Sequence, residues 1–191
     1  MIFPLPQPPA PSPPPTLESR GVIYLGGMIT EGTSRDICTR IIQANFEETQ
    51  KRLLLVINTP GGSLSDTFAI CDVMAWSRIP VHTLGLGMVQ SGGFLIMMAG
   101  ARGHRTVTPN TSILSHQFSN MVCGTKSALV AARHEDDFMH ARMLAHYKKY
   151  TKLKTDKAVE TALLKPVDVW LSARAAVRYG VVDRVSDGHD L

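Results

Sequence analysis

Apolar residues along this chain fall into short runs separated by glycine- and proline-bearing turns, and the runs alternate between strand-like and helix-like spacing. Val22 to Leu25 is a short run closed by Gly26-Gly27 and predicts a strand. Thr33 or Ser34 is placed to cap a helix to about Gln50, with Ile37, Ile41 and Ala44 spaced along its buried face. Leu53 to Ile57 is uninterruptedly apolar, as in a parallel strand covered on both sides. The turn Asn58-Thr59-Pro60-Gly61-Gly62 follows, then Ser63 with Asp66 downstream, a capping-box-like start for a helix to about Arg78. Val81 to Leu86, ending in glycine, predicts the next strand, Ser91-Gly92 a glycine-rich turn, and the residues after Ser91 a helix to about Gly100. Strand and helix thus alternate through the front half. Right-handed crossovers then give a parallel sheet with helices packed on it, an α/β fold. Both glycine-rich turns lie at the carboxyl edge of that sheet, where α/β proteins bind ligands.

The back half is less regular. Thr106-Val107 and Ile113 to His116 predict short strands. Lys126 to Lys149 predicts a long charged helix whose apolar positions, among them Leu129, Met139, Met143 and Tyr147, are too sparse to bury the whole of it. Such a helix projects and packs on a partner. His134, His140 and His146 lie on it without a shared metal-ligand spacing and are expected on a solvated face. Asp156 to Leu164 and a Ser172-capped segment ending at Tyr179-Gly180 predict two more helices, and Val181 to Val185 a last strand.

Composition narrows the function classes. The 191 residues carry a formal charge of +4, with no basic block interleaved with aromatics, which argues against nucleic-acid binding. Cys38, Cys71 and Cys123 have neither zinc nor disulfide spacing, and the first two read as small core residues in a reducing cytosol. Residues 1–18 are rich in proline and predict a flexible tail or a docking arm, so a folded domain is expected over 19–191. Prolines interrupt every apolar stretch of that start, which therefore lacks the form of a signal peptide, and no run reaches membrane-spanning length.

The candidate chemistry centres on Ser91, in Gly87-Met88-Val89-Gln90-Ser91-Gly92-Gly93-Phe94. A serine between strand and helix can present its hydroxyl from the turn, next to the free first amides of the helix. The same sequence also suits a plain turn capping a buried helix. Seven histidines compete for the base. His82 lies within an apolar strand, His104 among Arg102, Gly103 and Arg105 where a surface turn is expected, and His189 in the polar tail. His116 ends a strand at the edge where a cleft would lie. Asp168 precedes the apolar Val169-Trp170-Leu171, surroundings in which an aspartate needs a partner.

Taken in order, Ile57-Asn58-Thr59-Pro60-Gly61-Gly62, the Ser91 octapeptide, His116-Gln117, Asp168 to Ala173 and Tyr179-Gly180-Val181-Val182-Asp183 resemble the proteolytic subunit of the Clp protease. The likeness runs from about Gly21 to Val185. It implies a ClpP/crotonase-type α/β fold with a projecting handle helix, and a serine endopeptidase with Ser91 as nucleophile, His116 as base and Asp168 as its orienting partner. It also implies an oxyanion hole from the amides of Gly62 and Gly92, and peptide bound as an added strand between Ser63-Leu64 and Phe118-Ser119. No metal or organic cofactor is implied. The family assembles as stacked heptameric rings, fed in the cytoplasm by an AAA+ unfoldase that hydrolyses the ATP; this chain has nothing resembling a nucleotide loop.

The chain departs from the family pattern at Phe118-Ser119-Asn120, where Pro and a glycine-rich turn are usual. It departs at Pro166-Val167, where a charged pair helps to couple the rings, and in its N-terminal segment, which is unlike the family's axial loop. Three other readings remain: an inactive ring subunit, a peptidase that works without an unfoldase, and a crotonase-type acyl-CoA enzyme. The last leaves Ser91, His116 and Asp168 unexplained.

Overall fold

A computed structural model describes residues 14–188. The proline-rich start through residue 13, and His189, lie outside the described residues. The strands are β1 (Val22–Gly26), β2 (Leu53–Thr59), β3 (Val81–Gln90), β4 (Arg105–Val107), β5 (Ser112–Ser115), β6 (Val169–Leu171) and β7 (Arg184–Val185). The helices are α1 (Glu31–Glu47), α2 (Leu64–Trp76), α3 (Gly92–Ala99), α4 (Lys126–Tyr150), α5 (Asp156–Ala162) and α6 (Ala173–Tyr179). The sheet runs β1-β2-β3-β4-β7, with β5 beside β3 and β6 beside β5. Every pairing is parallel except β5–β6. The mixed α/β architecture with repeated strand–helix units is therefore present.

The uninterrupted apolar runs are explained by burial. Leu53, Leu55 and Ile57 of β2 and all of α3 from Gly92 to Met98 are buried, and with Ile37 and Ile41 of α1 and Ile70 of α2 they form one core. Close approach of α3 to β2 leaves no space for a side chain at Gly93, where a Cβ would stand 2.4 Å from Thr59 Cγ2.

Several boundaries differ from the sequence reading. Thr30, not Thr33 or Ser34, caps α1: its hydroxyl accepts from the Thr33 amide, while the Thr33 hydroxyl donates to the Met28 carbonyl. The helix stops at Glu47 because Glu48 turns left-handed, at φ 52°. Ser63 does cap α2, which ends at Trp76 rather than Arg78; the Arg78 amide bonds instead to Asn45 Oδ1. The run Val181–Val182 is buried but is not strand. Both amides return to the Ala176 carbonyl behind the left-handed Gly180, so only Arg184 and Val185 reach the sheet. Val169-Trp170-Leu171, read only as an apolar patch, is the antiparallel strand β6.

The largest difference concerns β3. The strand expected to end at Leu86 runs on to Gln90. Gly87 kinks the strand at φ 62°, the Met88 amide finds Asn58 Oδ1 at 3.1 Å, and Met88, Val89 and Gln90 go on to pair with Ser112, Ile113 and Leu114 of β5. β3 thus exchanges β4 for β5 part-way along, and its far end delivers Ser91.

Helix α4 is divided by burial. Up to Phe138 it is largely exposed, Phe138 itself at 63%, whereas Met139, Met143, Leu144, His146 and Tyr147 are buried. The projecting portion fits the sequence expectation; the solvated-face expectation for His146 does not hold. Its Nε2 donates to the Leu95 carbonyl at 3.0 Å, and burial brings its pKa down to about 4, so it stays neutral as part of the core. His134 is exposed and His140 half-buried, with Nε2 3.4 Å from Glu160 Oε1. His82 is half-buried too, stacked on His104 with ring centres 3.9 Å apart. Cys71 is buried, Cys38 half-buried and Cys123 exposed.

Candidate active site

Ser91 stands at the junction of β3 and α3 with φ 53° and ψ −119°, a conformation that L-residues other than glycine rarely hold. Three contacts hold it there. Its amide donates to the Leu114 carbonyl of β5 at 3.1 Å, its carbonyl accepts from the Phe94 amide at 3.0 Å, and the Pro60-Gly61-Gly62 turn presses against it. Gly61 has φ 100°, and a Cβ on it would come within 2.5 Å of Ser91 Cβ and 2.9 Å of the Gly92 nitrogen. Gly61→Ala is expected to destabilise the fold by about 1–3 kcal/mol and to displace Ser91. A chemical-denaturation midpoint at or above wild type would contradict this account of the turn.

Gly62 is fixed by two bonds across to Ile29: the Ile29 amide donates to the Gly61 carbonyl at 2.8 Å and the Ser63 amide to the Ile29 carbonyl at 3.0 Å. A side chain at Gly62 would collide with the Ile29 backbone, and one at Gly92 with Thr67 Oγ1. Neither the Gly62 nor the Gly92 amide donates to an acceptor among the described residues. Two main-chain donors beside the Ser91 hydroxyl, one of them at the start of a helix, are suited to hold a developing negative charge.

His116 follows β5, and its surroundings explain its position. Buried Ser115 donates its hydroxyl to the Leu163 carbonyl at 2.7 Å and accepts from the Tyr147 hydroxyl at 2.7 Å. On the other side Gln117 Nε2 donates to the Leu164 carbonyl at 3.1 Å. With both neighbours anchored, His116 Nε2 lies 2.8 Å from Ser91 Oγ. The antiparallel pairing of Ser115 with Val169 then brings the next residue along β5, His116, opposite the preceding residue of the other strand, Asp168. His116 Nδ1 lies 3.8 Å from Asp168 Oδ1, an ion-pair distance rather than a hydrogen bond. The Asp168 side chain is 57% exposed, so the apolar surroundings expected from Val169-Trp170-Leu171 are absent. Strand β6 points its residues alternately, and the exposed Trp170 shows that this edge faces solvent.

The Ser91–His116 pair opens into a cleft of about 380 Å³. Ser63, Leu64, Phe118 and Ser119 all line it, with Gly62 and Gly92. Sequence reasoning gave no site role to Ser115, Gln117 or Tyr147, which hold the histidine from behind, nor to Glu135 and Asp136, which also line the cleft. The hydroxyl of Ser115 at the end of an apolar strand was the one available signal, since a buried hydroxyl needs partners. A larger hollow of about 700 Å³ beside Arg40 and Gln43 is lined by no histidine or cysteine among the described residues. No group of three or more His, Cys, Asp or Glu is placed to hold a metal ion among the described residues, and no helix there is long and apolar enough to cross a membrane.

A sheet edge that presents, in a cleft, a serine, a histidine within hydrogen-bonding distance and two amides without acceptors among the described residues defines a hydrolase-like site on an α/β scaffold. The family described as Clp protease matches residues 15–189, nearly the whole chain. The chain belongs to the Clp protease family, and its α/β sheet with the projecting α4 is the ClpP-type fold.

Proposed function

We propose that this ClpP-like peptidase is a serine endopeptidase in which Ser91 is the nucleophile, His116 the general base and Asp168 the group that orients the imidazole. The observation that carries the reading is the 2.8 Å contact between Ser91 Oγ and His116 Nε2 at a strained strand-to-helix junction. Ser91 attacks the scissile carbonyl as His116 takes its proton. The amides of Gly62 and Gly92 hold the oxyanion. His116 then protonates the leaving amine, and a water molecule, deprotonated by the same histidine, releases the acyl group. None of these steps calls on a metal or organic cofactor.

Peptide is bound as an added strand between Ser63-Leu64 and Phe118-Ser119, whose main chain tolerates varied sequence. Membership of the family supports assembly into heptameric rings, stacked through the exposed portion of α4, and delivery of unfolded protein by an AAA+ unfoldase in the cytoplasm. One observation favours a second reading, a ring subunit without activity of its own: Asp168 stands 3.8 Å from His116 and is mostly exposed, so the imidazole is only loosely oriented.

Labelling with a fluorophosphonate separates the two. Wild-type protein is expected to form a covalent adduct at Ser91, located by peptide mass spectrometry, and Ser91→Ala to form none. Unlabelled wild type, or equal labelling of Ser91→Ala, overturns the nucleophile.

A further inference from the structure

The cleft beside Ser91 is built on one face of α4, and the lining changes chemistry along it. Met139, Met143 and Tyr147 recur at intervals of one helical turn, all buried, and with Leu95 they make an apolar floor. One turn nearer the start of α4 the lining becomes Glu135 and Asp136. Glu135 already has a cation, since Arg142 Nη2 lies 3.0 Å from its Oε1. Asp136 is different. Its Oδ1 accepts from Asn120 Nδ2 at 3.0 Å, a neutral amide, and no cationic side chain forms an ion pair with it among the described residues. Asn120 is itself steadied, its Oδ1 accepting from the Met121 amide at 2.8 Å. The half-buried Asp136 carboxylate is therefore oriented but not neutralised.

We propose that Asp136 makes this cleft select a lysine or arginine at the residue that donates the acyl group. The inference rests on the peptidase reading above. The side chain next to the attacked carbonyl is the one that the cleft beside Ser91 must accommodate. Lysine and arginine combine a long apolar stem with a charged head. The stem covers Leu95, Met139 and Met143 while the head reaches the acidic end and meets Asp136. A leucine or methionine fills the same floor but takes water from the carboxylate without replacing it, which is unfavourable. A glutamate or aspartate meets a like charge.

The test uses the full chain and a matched set of peptidyl diphenyl phosphonates with lysine, norleucine or glutamate at the reacting residue. In each, a bond forms between Ser91 Oγ and phosphorus, phenoxide leaves, and the serine proton passes to His116. The rate of adduct formation at Ser91, followed by mass spectrometry, reads side-chain preference in a single chemical step. Lysine is expected to react about tenfold faster than norleucine, with glutamate slowest, and added salt to narrow the gap because the pair is only part-buried. Asp136→Asn is expected to bring the lysine-to-norleucine ratio to about one. Measuring that ratio within each protein cancels any general loss of reactivity. Asp136→Lys is expected to invert the order in favour of glutamate. An adduct that forms as fast or faster with norleucine in wild type, or a ratio unchanged in Asp136→Asn, overturns the inference and leaves the peptidase reading standing. No adduct at Ser91 with any phosphonate or with a fluorophosphonate overturns both.

Discussion

Ser91→Ala is expected to lower kcat for peptide hydrolysis by roughly 10⁶, and His116→Ala by a comparable factor. The two are one device. The hydroxyl is a weak nucleophile until the imidazole 2.8 Å away accepts its proton, and the imidazole has nothing to do once the hydroxyl is gone. The double variant is therefore expected to be no slower than either single one, whereas independent contributions would multiply. Asp168→Asn is expected to cost much less, on the order of 10², because the carboxylate is exposed and beyond hydrogen-bonding distance of Nδ1. In the variants without Ser91 or His116, the activity left is expected to come from the Gly62 and Gly92 amides, which no side-chain change removes. Steady-state kinetics on one fluorogenic peptide decides the matter. Multiplying losses, or an Asp168→Asn defect as large as that of Ser91→Ala, would mean that the three side chains do not act in the proposed roles.

The difference between these residues also shows what the sequence could reveal. Strands β1 and β2 and helices α2, α3 and α6 were legible because their signals are local: apolar runs, Ser63 and Ser172 as caps, Gly180 as a stop. The Ser91 turn was legible, but the strand that leads into it was ended too early, at Leu86. Gly87 usually means a turn, yet here it only kinks a strand that β5 is waiting to pair, and β5 lies more than twenty residues ahead in the chain. Strand β6 was missed for a similar reason. Three residues have no period of their own, and only the antiparallel partner β5 makes them a strand. The exposure of Asp168 was hidden by the same step, since its apolar neighbours belong to an edge strand and not to a core. His146 looked solvated because its helix is highly charged; that it turns inward to the Leu95 carbonyl depends on how α4 lies over α3. The pair Ser91 and His116 could be chosen by elimination and resemblance, but the clamp of Ser115, Tyr147 and Gln117 behind the histidine depends on contacts between β5, α4 and the segment after α5.

Asp183→Asn is expected to destabilise the folded chain by about 3 kcal/mol, at the lower end of what breaking a buried ion pair costs. Arg105 is 4% exposed and would be left without its counter-ion. In the native protein its Nε and Nη2 donate to the two oxygens of Asp183, and its Nη1 donates to the carbonyls of Met98 and Tyr150. One guanidinium thus ties β7's approach to the ends of both α3 and α4, the helix that begins beside Ser91 and the helix that lines the cleft. Lost order at this distant point is expected to reach the site as a reduced rate of Ser91 labelling. The pH dependence has a definite sign. Burial acts to raise the Asp183 carboxyl, but the hydrogen bonds from the Arg105 side chain and amide, with the guanidinium's charge, outweigh it and leave the group below its ordinary value of 3.8. The unfolded chain therefore takes up this proton before the folded one does as pH falls. The stabilisation is complete above the unfolded value and drains away as pH drops through the folded one. Denaturant unfolding at fixed protein concentration, repeated from neutral pH downwards, is expected to show wild type and Asp183→Asn converging in acid and separated at pH 7. A constant gap across that range, or none at neutral pH, would mean that Arg105 is held by the two carbonyls and not by the carboxylate.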